Sequence, residues 1–196
     1  TGTLTTGALV VENRDALDAL SPEHRAILGD LAVRSSHPKS RAVVEALSGA
    51  GAVRFDAGRA VREIAGKGLE LVEGSHTYRL GAPAWATAGS RTTPLAAARA
   101  DLVFAQDGEV LAAITTGEEL RPDAAAEVKA LAELGVTPYV LSGDAAAPTR
   151  AIAEACGVPA ERAFGTRSPE GKAAWLREHG AARALFVGDG INDSLV

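Results

Sequence analysis

The feature that most constrains the fold is a change of pattern at Arg121, after which helical and strand-like segments alternate. The apolar spacing predicts three helices, over 122–134, 147–155 and 169–178. Two short apolar runs predict buried strands, at 138–141 and 184–187. Alternation of this kind is typical of a parallel sheet with right-handed crossovers, in which ligands bind beyond the carboxyl ends of the strands. The second part of the chain is therefore predicted to be an α/β domain of the Rossmann type.

The stretch before it has a different pattern, typical of an α+β module. Ser21-Pro22-Glu23 predicts a helix start, and a second helix is expected after His37-Pro38, ending at Gly49. Asp107-Gly108 is a strong signal for a two-residue hairpin turn. An antiparallel sheet of about six strands is expected, over 52–56, 60–65, 68–73, 76–80, 101–106 and 109–115.

The simplest arrangement inserts this module, residues 12–115, into an α/β domain formed by 1–11 and 116–196. The chain would then cross between the domains twice, near residues 11 and 116. A connection of two chain segments is a natural hinge.

One loop of the α/β part carries a cluster of oxygen ligands. The apolar run at 184–187 is followed by Gly188-Asp189-Gly190 and then by Asn192 and Asp193. Carboxylates on a glycine-rich loop at a strand end suit Mg²⁺ held against a phosphate. A strand followed by an ordinary polar turn explains Gly-Asp-Gly equally well when it is taken alone.

Other segments remove that ambiguity through a resemblance that covers the whole chain. Thr1-Gly2-Thr3-Leu4-Thr5, Leu141-Ser142-Gly143-Asp144, Lys172 and the 188–193 loop resemble the phosphorylation domain of P-type ATPases, in the haloacid dehalogenase-like superfamily. Ser36-His37-Pro38 and Gly66-Lys67-Gly68 resemble the nucleotide-binding insert of the heavy-metal branch of these pumps. The motifs occur in the order of the family, and the fold that the resemblance implies agrees with the two-domain pattern.

The resemblance also implies roles for individual residues in phosphoryl transfer and in ATP binding. The phosphate side comprises the Mg²⁺ ligands Thr1 (through its carbonyl), Asp189 and Asp193, and the catalytic residues Thr1, Thr3, Ser142, Gly143, Asp144, Lys172 and Asn192. In the insert, His37 beside Pro38 would place its ring on the adenine. Gly66, Gly68 and Gly81 would let the backbone approach the nucleotide.

Structural roles explain several of these residues when the family is set aside. A lysine near a helix start, such as Lys172, is most often a solvated surface residue. A histidine before a proline, such as His37, often only begins a helix. A Gly-x-Gly such as Gly66-Lys67-Gly68 is more often a bulge or turn.

The function that the resemblance implies is a pump that exports heavy-metal cations, copper or zinc-like, driven by ATP. The acceptor is an Asp in an Asp-Lys pair that directly precedes Thr1 in the family, and it is absent from this sequence. We therefore expect these 196 residues alone to be inactive. The implied cofactors are ATP and Mg²⁺. The implied partners are transmembrane and actuator domains of the same polypeptide, which places the chain on the cytoplasmic face of the cell membrane.

Composition supports a globular protein without a nucleic-acid surface. The formal net charge is −5, and no run of basic residues stands out. The single cysteine, Cys156, excludes an internal disulfide and is expected to be a buried small apolar residue.

The sequence departs from the family at a few positions. Ser36 and Ala32 stand where the heavy-metal branch has acidic residues, so weak nucleotide binding is expected. Ser142 replaces a threonine, and Glu118 replaces an aspartate at the expected hinge.

Two alternative functions remain open from the sequence. The first is a soluble haloacid dehalogenase-like phosphatase with a large cap domain. Such phosphatases have a second Asp, acting as a general acid and base, where this chain has Thr1, and a threonine cannot carry out that proton transfer. The second is a catalytically inactive fragment that binds nucleotide.

Overall fold

The computed structural model describes residues 2–49, 53–90, 95–179 and 183–188. The chain divides into two compact units, one formed by Thr1–Gly7 with Glu118–Val196 and the other by Ala8–Gly117. We call these the α/β unit and the inserted unit. The assignment of 1–11 with 116–196 to a phosphorylation domain, and of 12–115 to a nucleotide-binding domain, stays a prediction.

The elements are numbered in chain order. The strands are β1 (Thr5–Val11), β2 (Val61–Ile64), β3 (Gly68–Glu73), β4 (His76–Gly81), β5 (Leu102–Gln106), β6 (Glu109–Ile114), β7 (Thr116–Leu120), β8 (Val140–Leu141) and β9 (Ala163–Phe164). The α-helices are α1 (Asp15–Asp18), α2 (Pro22–Ala32), α3 (Pro38–Ser48), α4 (Pro83–Ala86), α5 (Leu95–Arg99), α6 (Ala124–Glu133), α7 (Ala146–Ala155) and α8 (Pro169–Glu178), and a 3₁₀ helix spans Ala160–Arg162. The chain passes between the units in β1 and in β7, and these two strands pair with each other.

The inserted unit is built on a five-stranded sheet in the order β2-β3-β4-β5-β6, with every neighbouring pair antiparallel. The predicted two-residue turn between β5 and β6 is confirmed. Asp107 and Gly108 both have positive φ, 50° and 86°, as the primed hairpin turns require.

Helices cover both faces of this sheet. On one face, leucine, phenylalanine and isoleucine side chains of β3 to β6 join the apolar side chains of α2 and α3 in one core, which includes Leu28, Val43, Leu71, Phe104 and Ile114. On the other face, Val103 and Ala105 of β5 pack with Ala86 of α4 and Ala97 of α5. The alternation along β5 thus buries successive residues in two different cores.

The two long helices of the inserted unit begin where the sequence predicts. The Ser21 hydroxyl accepts a hydrogen bond from the His24 N–H, which caps α2. His37 caps α3, which is followed by Gly49. Pro22 and Pro38 each occupy the first helical position, where their missing N–H costs nothing.

The predicted strand over 52–56 is wrong, so the sheet has five strands where about six were expected. Residue 52 lies outside the described residues, and 53–56 form no strand. The backbone of Asp56 bonds to side chains of α2 and of the segment that follows it. The Asp30 carboxylate accepts from the Asp56 N–H at 2.9 Å, and the Arg34 guanidinium donates to the Asp56 carbonyl. These groups are therefore satisfied without a neighbouring strand.

The α/β unit contains a parallel pair, as the alternating pattern predicts. β8 and β9 pair at Val140↔Ala163 and Leu141↔Phe164. Helices α6 and α7 supply much of a small core, which consists of Ala124, Val128, Ala153, Cys156, Val158 and Ala163, with Leu4, Leu120 and Val140 packed against it. Helix α8 adds Trp175, whose ring lies 5.0 Å from Tyr139 and 5.5 Å from Phe164 between centroids.

The predicted strand over 184–187 is wrong in this structure. These residues have no regular secondary structure, and Leu185 and Val187 are 83% and 64% exposed. The predicted strand over 138–141 is reduced to β8. A short apolar run becomes a strand only where another segment pairs with it, and β9 provides that for β8 alone among the described residues.

We find no helix in the described part of the chain with the length and apolar character needed to cross a membrane.

Candidate functional site

In the α/β unit, the candidate site is centred on the Ser142-Gly143-Asp144 loop, which directly follows β8. The buried Ser142 hydroxyl donates to the Asp144 carboxylate at 2.7 Å and accepts from the Asp144 N–H at 3.1 Å. This pair of hydrogen bonds closes a tight local turn. Gly143 and Asp144 are exposed, so the loop presents one carboxylate at the carboxyl end of a parallel strand.

The loops after β8 and β9 are joined by backbone hydrogen bonds. The Ser142 N–H donates to the Phe164 carbonyl at 2.9 Å, which extends the strand pairing by one step. The Arg167 N–H donates to the Ser142 carbonyl at 2.8 Å, and the Thr166 N–H donates to the Asp144 carbonyl at 2.6 Å. The carboxyl ends of two parallel strands therefore meet here, where the α/β pattern places ligand chemistry.

Arg167 also connects this loop to the start of α8. Its neighbour Ser168 caps α8 by accepting from the Gly171 N–H at 3.1 Å. Lys172 lies in the first turns of α8 and is half-buried. The structure thus brings the helix that carries Lys172 to the loop that carries Asp144.

Thr3 lies in the segment before β1 and is half-buried. The Gly2 N–H donates to the buried Thr5 hydroxyl at 3.0 Å, and the Arg121 N–H donates to the Leu4 carbonyl at 2.9 Å. These bonds hold Thr3 between two fixed positions and leave its side chain partly accessible.

The remaining phosphate-side residues, Thr1, Asp189, Asn192 and Asp193, lie outside the described residues. The described residues include no group of three or more His, Cys, Asp or Glu side chains that could hold a metal ion. The predicted Mg²⁺ ligand set therefore stays a prediction.

Cys156 is buried, as the sequence predicts, at 3% exposure in the core of the α/β unit. Burial raises the pKa of its thiol. The thiol is therefore unsuited to act as a nucleophile.

In the inserted unit, the candidate site is the corner between α2 and α3, where His37 is exposed. The His37 ring Nδ1 accepts a hydrogen bond from the Lys39 backbone N–H at 3.2 Å. The His37 backbone N–H donates to the Ser35 hydroxyl at 3.2 Å. Because Nδ1 is an acceptor, the neutral ring carries its proton on Nε2. The corner therefore presents a ring face and one N–H donor to solvent.

The Ser35 hydroxyl also contacts the Glu63 carboxylate of β2 at 3.4 Å. This contact ties the His37 corner to the hairpin that carries Gly66. At Gly66, φ is +70° and an added Cβ would meet nothing within 4 Å. The backbone at Gly66 is thus open to an approaching molecule.

The other two predicted glycines have an internal explanation. Gly68 and Gly81 are paired in register between β3 and β4. A Cβ on Gly68 would lie 2.2 Å from the Leu80 carbonyl, and a Cβ on Gly81 would lie 2.1 Å from the Lys67 carbonyl. Close backbone packing accounts for both residues without a ligand.

The positions where the family has acidic residues differ in their surroundings. Ala32 has no exposed surface and belongs to the main core of the inserted unit, whereas Ser36 is exposed. A carboxylate at residue 36 would face solvent, but one at residue 32 would begin inside the core.

None of the sequence motifs points to Asp30, a fully buried carboxylate in α2. Besides the Asp56 N–H, it binds the Arg34 guanidinium at 3.1 Å and lies 3.8 Å from Arg59. A lone acid among the apolar residues of a helix was the available signal, because such a charge requires partners when it is buried. Its partners anchor the 53–60 loop on the end of α2.

Comparison with known proteins agrees with this architecture. Residues 1–195 match the family described as haloacid dehalogenase-like hydrolase. The chain belongs to this family.

Its relatives include cation-transporting P-type ATPases. The chain is 36% identical over 215 residues to the cation-transporting P-type ATPase B of Mycobacterium bovis (strain ATCC BAA-935 / AF2122/97), an alignment that covers 98% of this chain and 27% of the relative. It is 31% identical over 199 residues to the probable copper-transporting ATPase SynA of Synechococcus sp. (strain ATCC 27144 / PCC 6301 / SAUG 1402/1), covering 99% of this chain and 25% of that protein. The chain thus spans about a quarter of the length of these relatives.

A solved structure of similar fold is that of a zinc-transporting PIB-type ATPase in the E2.Pi state. It matches with a TM-score of 0.76 and 26% identity, over 100% of this chain and 33% of that one.

Proposed function

We propose that this chain is the ATP-binding and phosphorylation part of a heavy-metal-transporting P-type ATPase. The observation that carries the proposal is the joining of the Ser142-Gly143-Asp144 loop, by backbone hydrogen bonds through Arg167, to the start of the helix that carries Lys172. A carboxylate and an ammonium group held by adjacent strand and helix ends suit the stabilisation of a transferring phosphoryl group.

On the phosphate side, each described residue has a distinct task. Asp144 supplies an exposed carboxylate whose position is fixed by Ser142. Lys172 supplies a point charge for the acceptor carboxylate and the phosphate. Thr3 supplies a hydroxyl for the phosphoryl oxygens. Mg²⁺, bound by Asp189 and Asp193 with the Thr1 carbonyl, would neutralise charge on the phosphate.

On the nucleotide side, His37 and Gly66 are the residues whose surroundings fit a ligand. The His37 ring is exposed and held by its bond from Lys39, and Gly66 leaves its backbone accessible. Pro38 fixes the helix start behind the ring. Gly68 and Gly81 act by allowing β3 and β4 to approach closely.

The transported cation is copper or zinc-like, in keeping with the names of the copper-transporting and zinc-transporting relatives. ATP would be the fuel. The membrane-embedded and actuator parts of the same polypeptide would be the partners, and the chain would lie on the cytoplasmic face of the membrane.

The first test is titration of the full 196-residue chain with ATP, followed by amide NMR. We expect perturbations around His37 and Gly66 at millimolar ATP, and we expect their loss in His37→Ala. An Asp189→Ala variant should lose any thermal shift that depends on Mg²⁺. Unchanged spectra at several millimolar ATP would contradict the nucleotide site.

The second test separates a pump domain from a soluble phosphatase. A chain in which Asp-Lys precedes Thr1 should become labelled by γ-labelled ATP and Mg²⁺, in a form that hydroxylamine removes. The matched variant with Asn-Lys should not be labelled. Rapid turnover of small phosphate monoesters, without a lasting phosphoenzyme, would favour the phosphatase.

A further inference from the structure

We propose that Asp101 is a positioning residue for the nucleotide site: it holds Lys39, whose backbone N–H holds the His37 ring. The inference rests on the proposed function for its ligand, but its geometric part is independent of ATP. It begins from the 3.2 Å hydrogen bond between the Lys39 N–H and His37 Nδ1. This bond orients the ring, so contacts that anchor the Lys39 residue at the start of α3 bear on the ring orientation.

The Lys39 side chain is fixed by a residue 62 positions further along the chain. Its ammonium lies 3.6 Å from the Asp101 carboxylate and donates to the Asp101 carbonyl at 3.4 Å. The side chains of Lys39 and Asp101 are 31% and 37% exposed, so the pair is only partly screened by water. One ammonium thus makes two contacts with one residue.

Asp101 is itself anchored on its other side. Its second carboxylate oxygen accepts from the Thr116 N–H at 2.7 Å and lies 3.3 Å from the Thr116 hydroxyl. Its own N–H donates to the Ile114 carbonyl at 2.9 Å. Asp101 therefore bridges Lys39 and the first residue of β7, one of the two strands in which the chain leaves the inserted unit.

This bridge gives the nucleotide site a defined mechanical link to β7. The hydrogen bond from Lys39 resists rotation of the His37 ring toward an adenine base. Lys39 in turn contacts the Asp101 carboxylate, which also accepts from Thr116 of β7. The chain offers a matched control at the other end of β5. Asp101 directly precedes β5 and Asp107 directly follows it, about 20 Å away along the strand. The Asp107 carboxylate lies 2.7 Å from His76 Nδ1.

The experiment compares Asp101→Asn, Lys39→Met and the double variant with Asp107→Asn, all in the full chain. The asparagine keeps an oxygen that can accept from Thr116 but loses the charge that attracts Lys39. Two quantities are measured: ATP affinity by NMR titration, and the ¹⁵N signals of the His37 ring without ligand. Thermal unfolding verifies that each variant is folded.

We expect Asp101→Asn and Lys39→Met each to weaken ATP binding by about two- to five-fold. The double variant should be no weaker than either single one, and Asp107→Asn should bind as the wild type does. The His37 ring signals should move in Asp101→Asn and Lys39→Met but stay unchanged in Asp107→Asn.

Wild-type affinity in Asp101→Asn, or equal weakening in Asp107→Asn, would overturn the inference and leave the nucleotide site standing. If the wild-type chain binds no ATP, the proposed function fails, and the ring signals alone decide. Movement of those signals in Asp101→Asn then supports the positioning role, and unchanged signals overturn it.

Discussion

Gly68 and Gly81 face each other across β3 and β4 so closely that neither position has room for a Cβ. Gly68 lies against the backbone of Leu80 and Gly81, and Gly81 lies against the backbone of Lys67 and Gly68. Gly66, two residues before Gly68, has open space around it. The two glycines of the Gly-x-Gly motif are therefore explained differently: Gly68 by close backbone packing, and Gly66 by its positive φ.

This difference predicts unequal effects of alanine at the two glycines. Gly68→Ala introduces a Cβ 2.2 Å from a carbonyl, at a φ of +142°. We expect it to lower the free energy of unfolding of the inserted unit by about 3 kcal/mol. Gly66→Ala meets only the conformational cost of its positive φ, about 1 kcal/mol. Urea unfolding, followed by Trp85 fluorescence in a Trp175→Phe background, measures both changes.

ATP affinity should distinguish the same two residues, but with the larger effect at Gly66. Where Gly68→Ala remains folded, its ATP affinity should change little. Gly66→Ala should weaken ATP binding with little loss of stability, because its new methyl group would occupy the open space proposed for the nucleotide. Similar stability losses in both variants would contradict the packing explanation for Gly68.

Asp30 provides a second stability prediction. Its carboxylate is fully buried and satisfies Arg34 and the Asp56 N–H. Asp30→Ala leaves the Asp56 N–H without its acceptor and Arg34 without its carboxylate partner, so we expect a loss of about 3 kcal/mol. The control is Asp56→Asn, whose side chain is 57% exposed, and which should change stability by less than about 0.5 kcal/mol. The same fluorescence assay serves here, and equal effects of the two variants would refute the anchoring role.

The sequence predicted those elements whose signals are local. α3 and α8 begin at proline after a side-chain cap, and their starts were predicted correctly. β3 was also predicted with its correct bounds, since polar or glycine turns limit it on both sides. The small helices α1, α4 and α5 were missed because four or five residues give too little apolar periodicity.

Tertiary contacts decided the rest. The backbone of Asp56 is used by Asp30 and Arg34, and no local pattern in 52–56 reveals that. The 184–187 run has the apolar character of a strand but lacks a pairing partner among the described residues. In the candidate site, motif residues such as Ser142 could be found from the sequence. Their supports, such as Arg167 and Asp101, could not, because backbone hydrogen bonds and distant ion pairs leave no motif.

Ser142 gives a third prediction, on the phosphate side. Its hydroxyl makes two hydrogen bonds with Asp144, one as donor and one as acceptor. Ser142→Ala removes both, and we expect a loss of about 1 kcal/mol in stability together with weaker labelling of the Asp-Lys form. Ser142→Thr keeps the hydroxyl and should retain labelling. Unchanged labelling in Ser142→Ala would show that the site does not require the hydroxyl.

Glu70 predicts how the inserted unit responds to acid. This buried carboxylate of β3 accepts hydrogen bonds from Arg62 and, at 2.9 Å, from Arg79, whose guanidinium lies 5.2 Å from the Trp85 ring centroid. Burial alone raises the pKa of Glu70, but the hydrogen bonds from Arg79 and Arg62 outweigh it, so the pKa lies below its ordinary value of 4.5. The folded state therefore binds the proton of Glu70 less tightly than the unfolded state does.

The sign of the pH effect follows from that depressed pKa. The stabilisation is fully present above pH 4.5 and is lost as the pH falls through the lower pKa of the folded state. Glu70→Gln should cost about 2 kcal/mol at pH 7, and its difference from the wild type should shrink below pH 4.5. Because other carboxylates titrate equally in both proteins, the difference isolates Glu70. Urea unfolding at several pH values, read from Trp85, measures it, and a constant difference across this range would rule out the ion pairs as the source of the stabilisation.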